Sequence, residues 1–190
     1  MDERYYQYQH AQLLRQQQLG HYMLLATVIA TVVNIALLLG NATFYIPYSA
    51  ALPYYLTVLG FYFDGNTLST YTATGMVMAF VALAVWLLVW YLARSSRRWL
   101  RVGMILVILD TVMLALFAFG FLADPAGCLL EGVIHIVAIY EISRGLSAYK
   151  QMDQLQTKFA QAQAEQALFQ EESSFPPQEA EEEIEEATEE

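Results

Sequence analysis

Cysteine is almost missing from this chain: Cys128 is the only one in 190 residues. That excludes an intrachain disulfide and any C-x-x-C pair for redox or zinc chemistry. Catalytic signatures are missing as well. No G-x-S-x-G, H-E-x-x-H, P-loop or dinucleotide-binding glycine motif stands at a usable turn. No basic patch with interleaved aromatics occurs, so nucleic acid is not expected as a partner. The first twenty residues mix Asp2 and Glu3 with glutamines and lack a short apolar core, so no cleaved signal peptide is expected. Lipidation and retention signals are not found either.

Positive charge is scarce, with nine lysines and arginines in all, and its placement is informative. Four apolar stretches run over Tyr22–Leu39, Ala73–Ala93, Val102–Leu122 and about Gly127–Ser143. About 20 helical residues cross a hydrocarbon layer of about 30 Å. Arg94, Arg97, Arg98 and Arg101 lie between the second and third stretches. Arg4 and Arg15 precede the first, and Arg144, Lys150 and Lys158 follow the last. The other two connections hold no base. The positive-inside rule then puts both termini and the arginine loop in the cytoplasm, with that loop against anionic headgroups at the inner face.

The expected fold is an all-α integral membrane protein, a four-helix transmembrane bundle packed up-down-up-down. Residues 1–20 read as a cytoplasmic N-terminal helix, 21–145 as the membrane domain, 146–172 as a cytoplasmic amphipathic helix and 173–190 as a disordered acidic tail. The tail accounts for the net charge of −10: residues 1–170 hold nine acids and nine bases, and the last twenty hold ten glutamates. Such a run repels itself and has little apolar surface to bury. Its alternatives are a docking element and a solubilising extension.

The outer connection, residues 40–71, carries nine aromatics, one acid (Asp64) and no base. Tyrosine suits the headgroup zone, so Ser49–Phe63 is expected to lie in, or dip into, the outer interface. A fifth span over Ile46–Phe63 is the rival. Pro47, Pro53 and Gly60 interrupt it, and it would expel the N-terminus against the charge rule.

Chemistry-bearing residues concentrate in the fourth stretch, where Cys128, Glu131 and His135 share a helix face. Antiparallel packing brings His135 to the depth of Asp110 on the third stretch, and nearly brings Arg144 there. Two readings follow for Asp110, Glu131, His135, Arg144 and Asn34: a polar clasp between helices, or a proton relay or cation site. A metal site built on Cys128, Glu131 and His135 is short of ligands. Thr27, Thr31 and Asn34 form a second polar face, expected to pack against other helices. Gly75-x-x-x-Ala79 fits a small-xxx-small contact, and Trp86, Trp90 and Trp99 read as interfacial anchors. Asn41-Ala42-Thr43 matches the glycosylation sequon beside a span end and reads as coincidence.

Past Ser143, residues Met152, Leu155, Phe159, Ala162, Gln166 and Phe169 follow 3-4 spacing, an a/d seam. Met152, Leu155, Phe159 and Phe169 are its apolar partner-binding candidates. Tyr5, Tyr8, Gln12, Arg15 and Leu19 form a poorer seam that could pair with it antiparallel within one chain. The expected function is a non-enzymatic membrane subunit or scaffold of the bacterial plasma membrane, without cofactor or metal, contacting a protein partner or a second copy. A small proton- or cation-coupled transporter using Asp110, Glu131 and His135 is the alternative, and an intramembrane enzyme ranks third for want of a nucleophile–base pair.

Overall fold

The computed structural model describes residues 2–64, 69–120 and 125–173. The expected outer turn 123–126 falls largely outside them, and so does the acidic tail beyond Ser173. Five helices follow in order: α1 (Glu3–Leu39), α2 (Ala51–Phe63), α3 (Thr70–Ala93), α4 (Arg97–Gly120) and α5 (Pro125–Ser173), with no strand among the described residues.

Three helices are long and apolar enough to cross a membrane: α1, α3 and the Arg97–Phe119 part of α4. The chain is membrane-embedded, and burial is inverted accordingly. Ile29, Val77, Phe80, Leu88, Ile105, Leu109 and Leu116 face outward, while Thr31, Asn34, Thr57, Thr72, Asp110, Glu131 and His135 are buried. The fourth expected span lies inside α5. Glu131 and Glu141 lie along it and Arg144 at its end, and Leu129, Val133, Ile136 and Val137 give it an apolar outer face. Trp86 departs from the expected anchor role. It is 3% exposed and packs in the core with Leu24, Val28, Leu83, Leu100 and Ile142.

No break separates the polar N-terminal segment from the first apolar stretch. Asp2 caps α1 by accepting from the Arg4 N–H, and the helix runs 37 residues, about 55 Å. It ends on Gly40 and Asn41. Asn41 takes the left-handed conformation (φ 53°), and the N–H groups of Asn41 and Ala42 return to the carbonyls of Leu38 and Leu37. That is a Schellman ending, which explains the asparagine as a helix stop.

α1 pairs with α5, 49 residues and about 73 Å long, in antiparallel fashion. Gly20 meets Ile142 and Gly145, Leu13 packs with Ala148 and Met152, and Tyr6 stacks on Phe159 with ring centroids 4.1 Å apart. The intrachain pairing is present, but the α1 seam sits one residue later than expected. Tyr6, Leu13, Gln17 and Gly20 face inward, whereas Tyr5, Tyr8 and Leu19 are exposed. Gly20 carries the close approach, and a glycine contributes nothing to an apolar periodicity. Met152, Leu155 and Phe159 therefore have a partner in the same chain.

α2 is 13 residues, about 20 Å, too short for the fifth-span alternative. It climbs antiparallel to α3 at very short range. A Cβ at Gly75 would stand 2.5 Å from the Leu56 carbonyl oxygen, and one at Gly60 equally close to that of Tyr71. Gly75 of the small-xxx-small motif thus contacts α2. At the top, Asp64 accepts from the N–H groups of Tyr71 (3.4 Å) and Thr72 (2.5 Å) and caps α3. Desolvation alone would push its carboxyl up, but hydrogen bonds from Ser69, Thr72 and Tyr71 outweigh it and hold it at about 2, against the usual 3.8. α4 starts on Ser96, whose hydroxyl accepts from the Arg98 N–H.

Two outcomes are expected. Gly75→Ala should lower stability in mild detergent by about 1–3 kcal/mol through overpacking. Gly132→Ala should be neutral or slightly stabilising, because nothing lies within 4 Å of a Cβ there. Thermal unfolding of the two variants checks the contrast. Because the folded carboxyl of Asp64 titrates below the unfolded one, its capping contributes above about pH 4 and is lost as pH falls through about 2. Amide exchange at Tyr71 and Thr72 should therefore be faster in Asp64→Ala than in the parent at pH 6, and the two should converge toward pH 2.

Candidate functional site

Between α1 and α2 the chain doubles back into the body of the protein. Asn34 holds Ile46 at both backbone atoms, its Nδ2–H donating to the carbonyl (2.8 Å) and its Oδ1 accepting from the N–H (2.7 Å). One turn along α1, Thr31 Oγ1 accepts from the Ala50 N–H at 2.7 Å. Further along, the Tyr48 hydroxyl lies 2.6 Å from Thr27 Oγ1 and 3.2 Å from the Met23 carbonyl. Residues 46–50 thus run antiparallel to α1, and α2 begins deep inside, with Ser49, Ala50 and Ala51 at most 1% exposed.

A helix start buried in apolar surroundings presents orphan N–H groups that water cannot reach. Ala50, the α2 cap residue, has no side chain to accept them. Asp110 of α4 takes that role across the fold: Oδ2 accepts from Ala51 N–H at 2.7 Å and Oδ1 from Leu52 N–H at 3.1 Å. A carboxylate at a helix start is also favoured by the helix dipole. Pro53 has no N–H to satisfy, and the Tyr54 N–H returns to the Ala50 carbonyl.

Asp110 is shared with α5. His135 Nε2 lies 3.2 Å from Oδ2, while its Nδ1 lies 2.9 Å from the Glu131 carbonyl. A carbonyl only accepts, so Nδ1 carries a hydrogen. The acceptor Oδ2 facing Nε2 then requires one proton between ring and carboxyl. Wherever that proton sits, the pair is neutral overall, which lowers the cost of burying two ionisable groups. Glu131, on the same face of α5, accepts from Ser49 Oγ at 2.8 Å and from the Ser49 backbone N–H. Asp110, Glu131 and His135 are 4%, 2% and 1% exposed.

The Asp110–His135 contact suggested by antiparallel depth is present. Arg144 does not join it. That side chain pairs with Glu141 at 3.1 Å and lies over the Tyr140 ring, because the span end leaves it partly in solvent. Asn34 belongs to the same polar layer but serves Ile46. Cys128 lies 3.9 Å from the Tyr55 hydroxyl, and no group of three or more His, Cys, Asp or Glu side chains is placed to hold a metal among the described residues. Sequence reasoning missed the job of Thr31 and Asn34, which accept from re-entrant backbone. The signal available was a polar helical face opposite a connection too long for a turn. Arg94, Arg97, Arg98 and Arg101 gather at one end, with Arg94 5.4 Å above the Trp90 ring. Phe169 is 70% exposed near the end of α5.

Fold and site define the class: an all-helical, membrane-embedded protein whose buried ionisable residues meet a chain segment re-entering its interior. No protein-family model, curated protein or solved structure matches the chain.

Removal of Asp110 leaves two buried N–H groups and His135 without their acceptor. Asp110→Leu should destabilise by about 2–4 kcal/mol and Asp110→Asn by less, since one oxygen remains. Hydrogen exchange should localise the loss to Ala51 and Leu52, and protection there equal to the parent's would remove the capping assignment.

Proposed function

We propose that this chain is a non-enzymatic subunit or scaffold of a membrane assembly. Its body is a four-span bundle, up-down-up-down, formed by α1, α3, α4 and the first part of α5, with α2 as a re-entrant helix. The arginine-bearing end faces the cytoplasm with both termini, in the plasma membrane of a bacterium. The buried ionisable residues act as a clasp: both Asp110 oxygens are engaged by the start of α2, and Glu131 by Ser49.

The observation that carries this reading is the α1/α5 hairpin. Its seam is closed by residues of the same chain as far as Tyr6 and Phe159, and α5 continues past that point. Ten residues further, about 15 Å, Leu168 and Phe169 are 66% and 70% exposed. A helix end that overhangs its own hairpin with two large apolar side chains suits capture of a partner helix or groove.

A photo-crosslinking residue at position 168 should give one stoichiometric adduct in cells, and the same residue at exposed position 157 should not. Leu168→Glu with Phe169→Glu should reduce co-purification of the captured protein at least about ten-fold, an effect of the size expected for apolar anchors, without changing helical content. Equal, diffuse labelling from both positions would remove the docking end. A small proton- or cation-coupled transporter is the second reading, and the proton held between His135 and Asp110 favours it. In proteoliposomes, dissipation of a pH gradient above that of protein-free vesicles, abolished by His135→Gln, would put the transporter first.

A further inference from the structure

At the arginine-bearing end, α1, α3 and α5 enclose a pocket of about 350 Å³, within the roughly 300–1,000 Å³ usual for small-ligand sites. Gln17, Gln18 and His21 line it from α1, Trp90 and Arg94 from the end of α3, and Tyr149 from α5. The walls are chemically one-sided. Among the described residues, no acidic side chain lines the pocket.

Among the described residues Arg94 has no carboxylate partner; its guanidinium rests 5.4 Å from the Trp90 ring centre, which leaves its N–H edges open to a planar, two-pronged contact. His21 bonds the Ala93 carbonyl, the last of α3, and its Nε2 lies 3.4 Å from the Tyr149 hydroxyl. Gln17 is the telling residue. It is only 8% exposed, it lines the pocket, and its amide has no hydrogen-bond partner among the described residues. That amide is not sealed from solvent, since Arg97 Nε is the one fully buried side-chain polar atom without a partner among the described residues; the Gln17 amide opens into the pocket and can donate to an occupant there. Arginine and two amides together present the donor set for a phosphate, with the Tyr149 hydroxyl engaged by His21 behind them.

We propose that this pocket binds the phosphate of an anionic phospholipid from the leaflet at the arginine-bearing end. The inference rests on α1 and α3 crossing the membrane. Tyr22 and Trp90 at the rim belong to helices that turn apolar immediately beyond, which places the opening at headgroup depth with acyl chains able to lie along the outer face of α1 and α3. A soluble phosphate would supply the same headgroup chemistry but gain nothing from that apolar continuation.

The test uses the full chain reconstituted in nanodiscs of phosphatidylcholine with 0 or about 30% phosphatidylglycerol, then released into mild detergent for native mass spectrometry, with electrostatic and affinity effects scaled as for one basic contact. The parent should retain one phosphatidylglycerol and no phosphatidylcholine. Arg94→Gln and Gln17→Leu should each reduce that retention about ten-fold. Arg98→Gln removes the same charge from an exposed position outside the pocket and should retain the lipid as the parent does. Equal loss from Arg98→Gln and Arg94→Gln would overturn the proposal in favour of diffuse surface charge. Retention of phosphatidylcholine at the same level would overturn the selectivity for an anion. Displacement of phosphatidylglycerol by millimolar glycerol phosphate or inorganic phosphate would overturn the lipid as source. Should Gln17→Leu fail to fold, Arg94→Gln, at an exposed side chain, decides alone.

Discussion

Every backbone N–H that re-enters an apolar interior has to find an acceptor, and that single requirement organises this protein. Between Ile46 and Tyr54 the chain meets it without water. Asn34 takes Ile46, the Ile46 carbonyl takes Tyr48, Glu131 takes Ser49, Thr31 takes Ala50, Asp110 takes Ala51 and Leu52, and the Ala50 carbonyl takes Tyr54. Positions 47 and 53 are prolines and have no N–H. A buried donor left alone costs about 1–3 kcal/mol, and more in hydrocarbon. Polar residues from α1, α4 and α5 are therefore needed in the interior, whatever else they do. His135 then answers the charge that Asp110 brings.

Aspartate recurs at helix starts over three ranges of chain separation. Asp2 caps α1 two residues ahead, Asp64 caps α3 seven and eight residues ahead, and Asp110 caps α2 from almost sixty residues away. The chemistry is the same each time: a carboxylate accepts orphan N–H groups at the positive end of a helix dipole. Only the setting differs. Asp2 is exposed and competes with water, whereas Asp110 is buried and has no such competitor. The long-range cap is thus the one on which the fold most depends.

Much of this architecture was legible in the sequence. The helical stretches, the shared face of Glu131 and His135, the depth match of His135 with Asp110 and the a/d spacing of Met152, Leu155 and Phe159 all follow from period and length. What was illegible depended on backbone, which periodicity does not describe. Thr31 and Asn34 form a visible stripe, but their partners are main-chain atoms of a segment whose path is set by where its donors can be satisfied. The α1 seam was displaced because Gly20 and Gln17 hold its inward positions, and neither scores as apolar. Trp86 was misplaced for a related reason. Tryptophan favours interfaces on average, yet a side chain that size fills the core when the neighbouring helices leave room. Arg144 turned to Glu141 because a nearby carboxylate within the same turn and partial solvation cost less than reaching a buried one.

Clasp and hairpin are coupled through helix continuity. Apolar helices in lipid have little to fix their axial register, since a leucine gains no more from another leucine than from an acyl chain. A slip of α5 by one turn, about 5.4 Å, would keep most of its apolar contacts but carry His135 off Asp110 and Glu131 off Ser49. Polar contacts of modest net stability therefore select one register among several of similar packing, the best-attested use of buried polar residues. α5 runs unbroken from that clasp to its exposed end, and α1 from the re-entrant segment to the seam that Tyr6 closes. Fixing the register inside the body thus fixes where Leu168 and Phe169 stand at the far end of α5, so the direction of that exposed end is set by hydrogen bonds made deep in the interior.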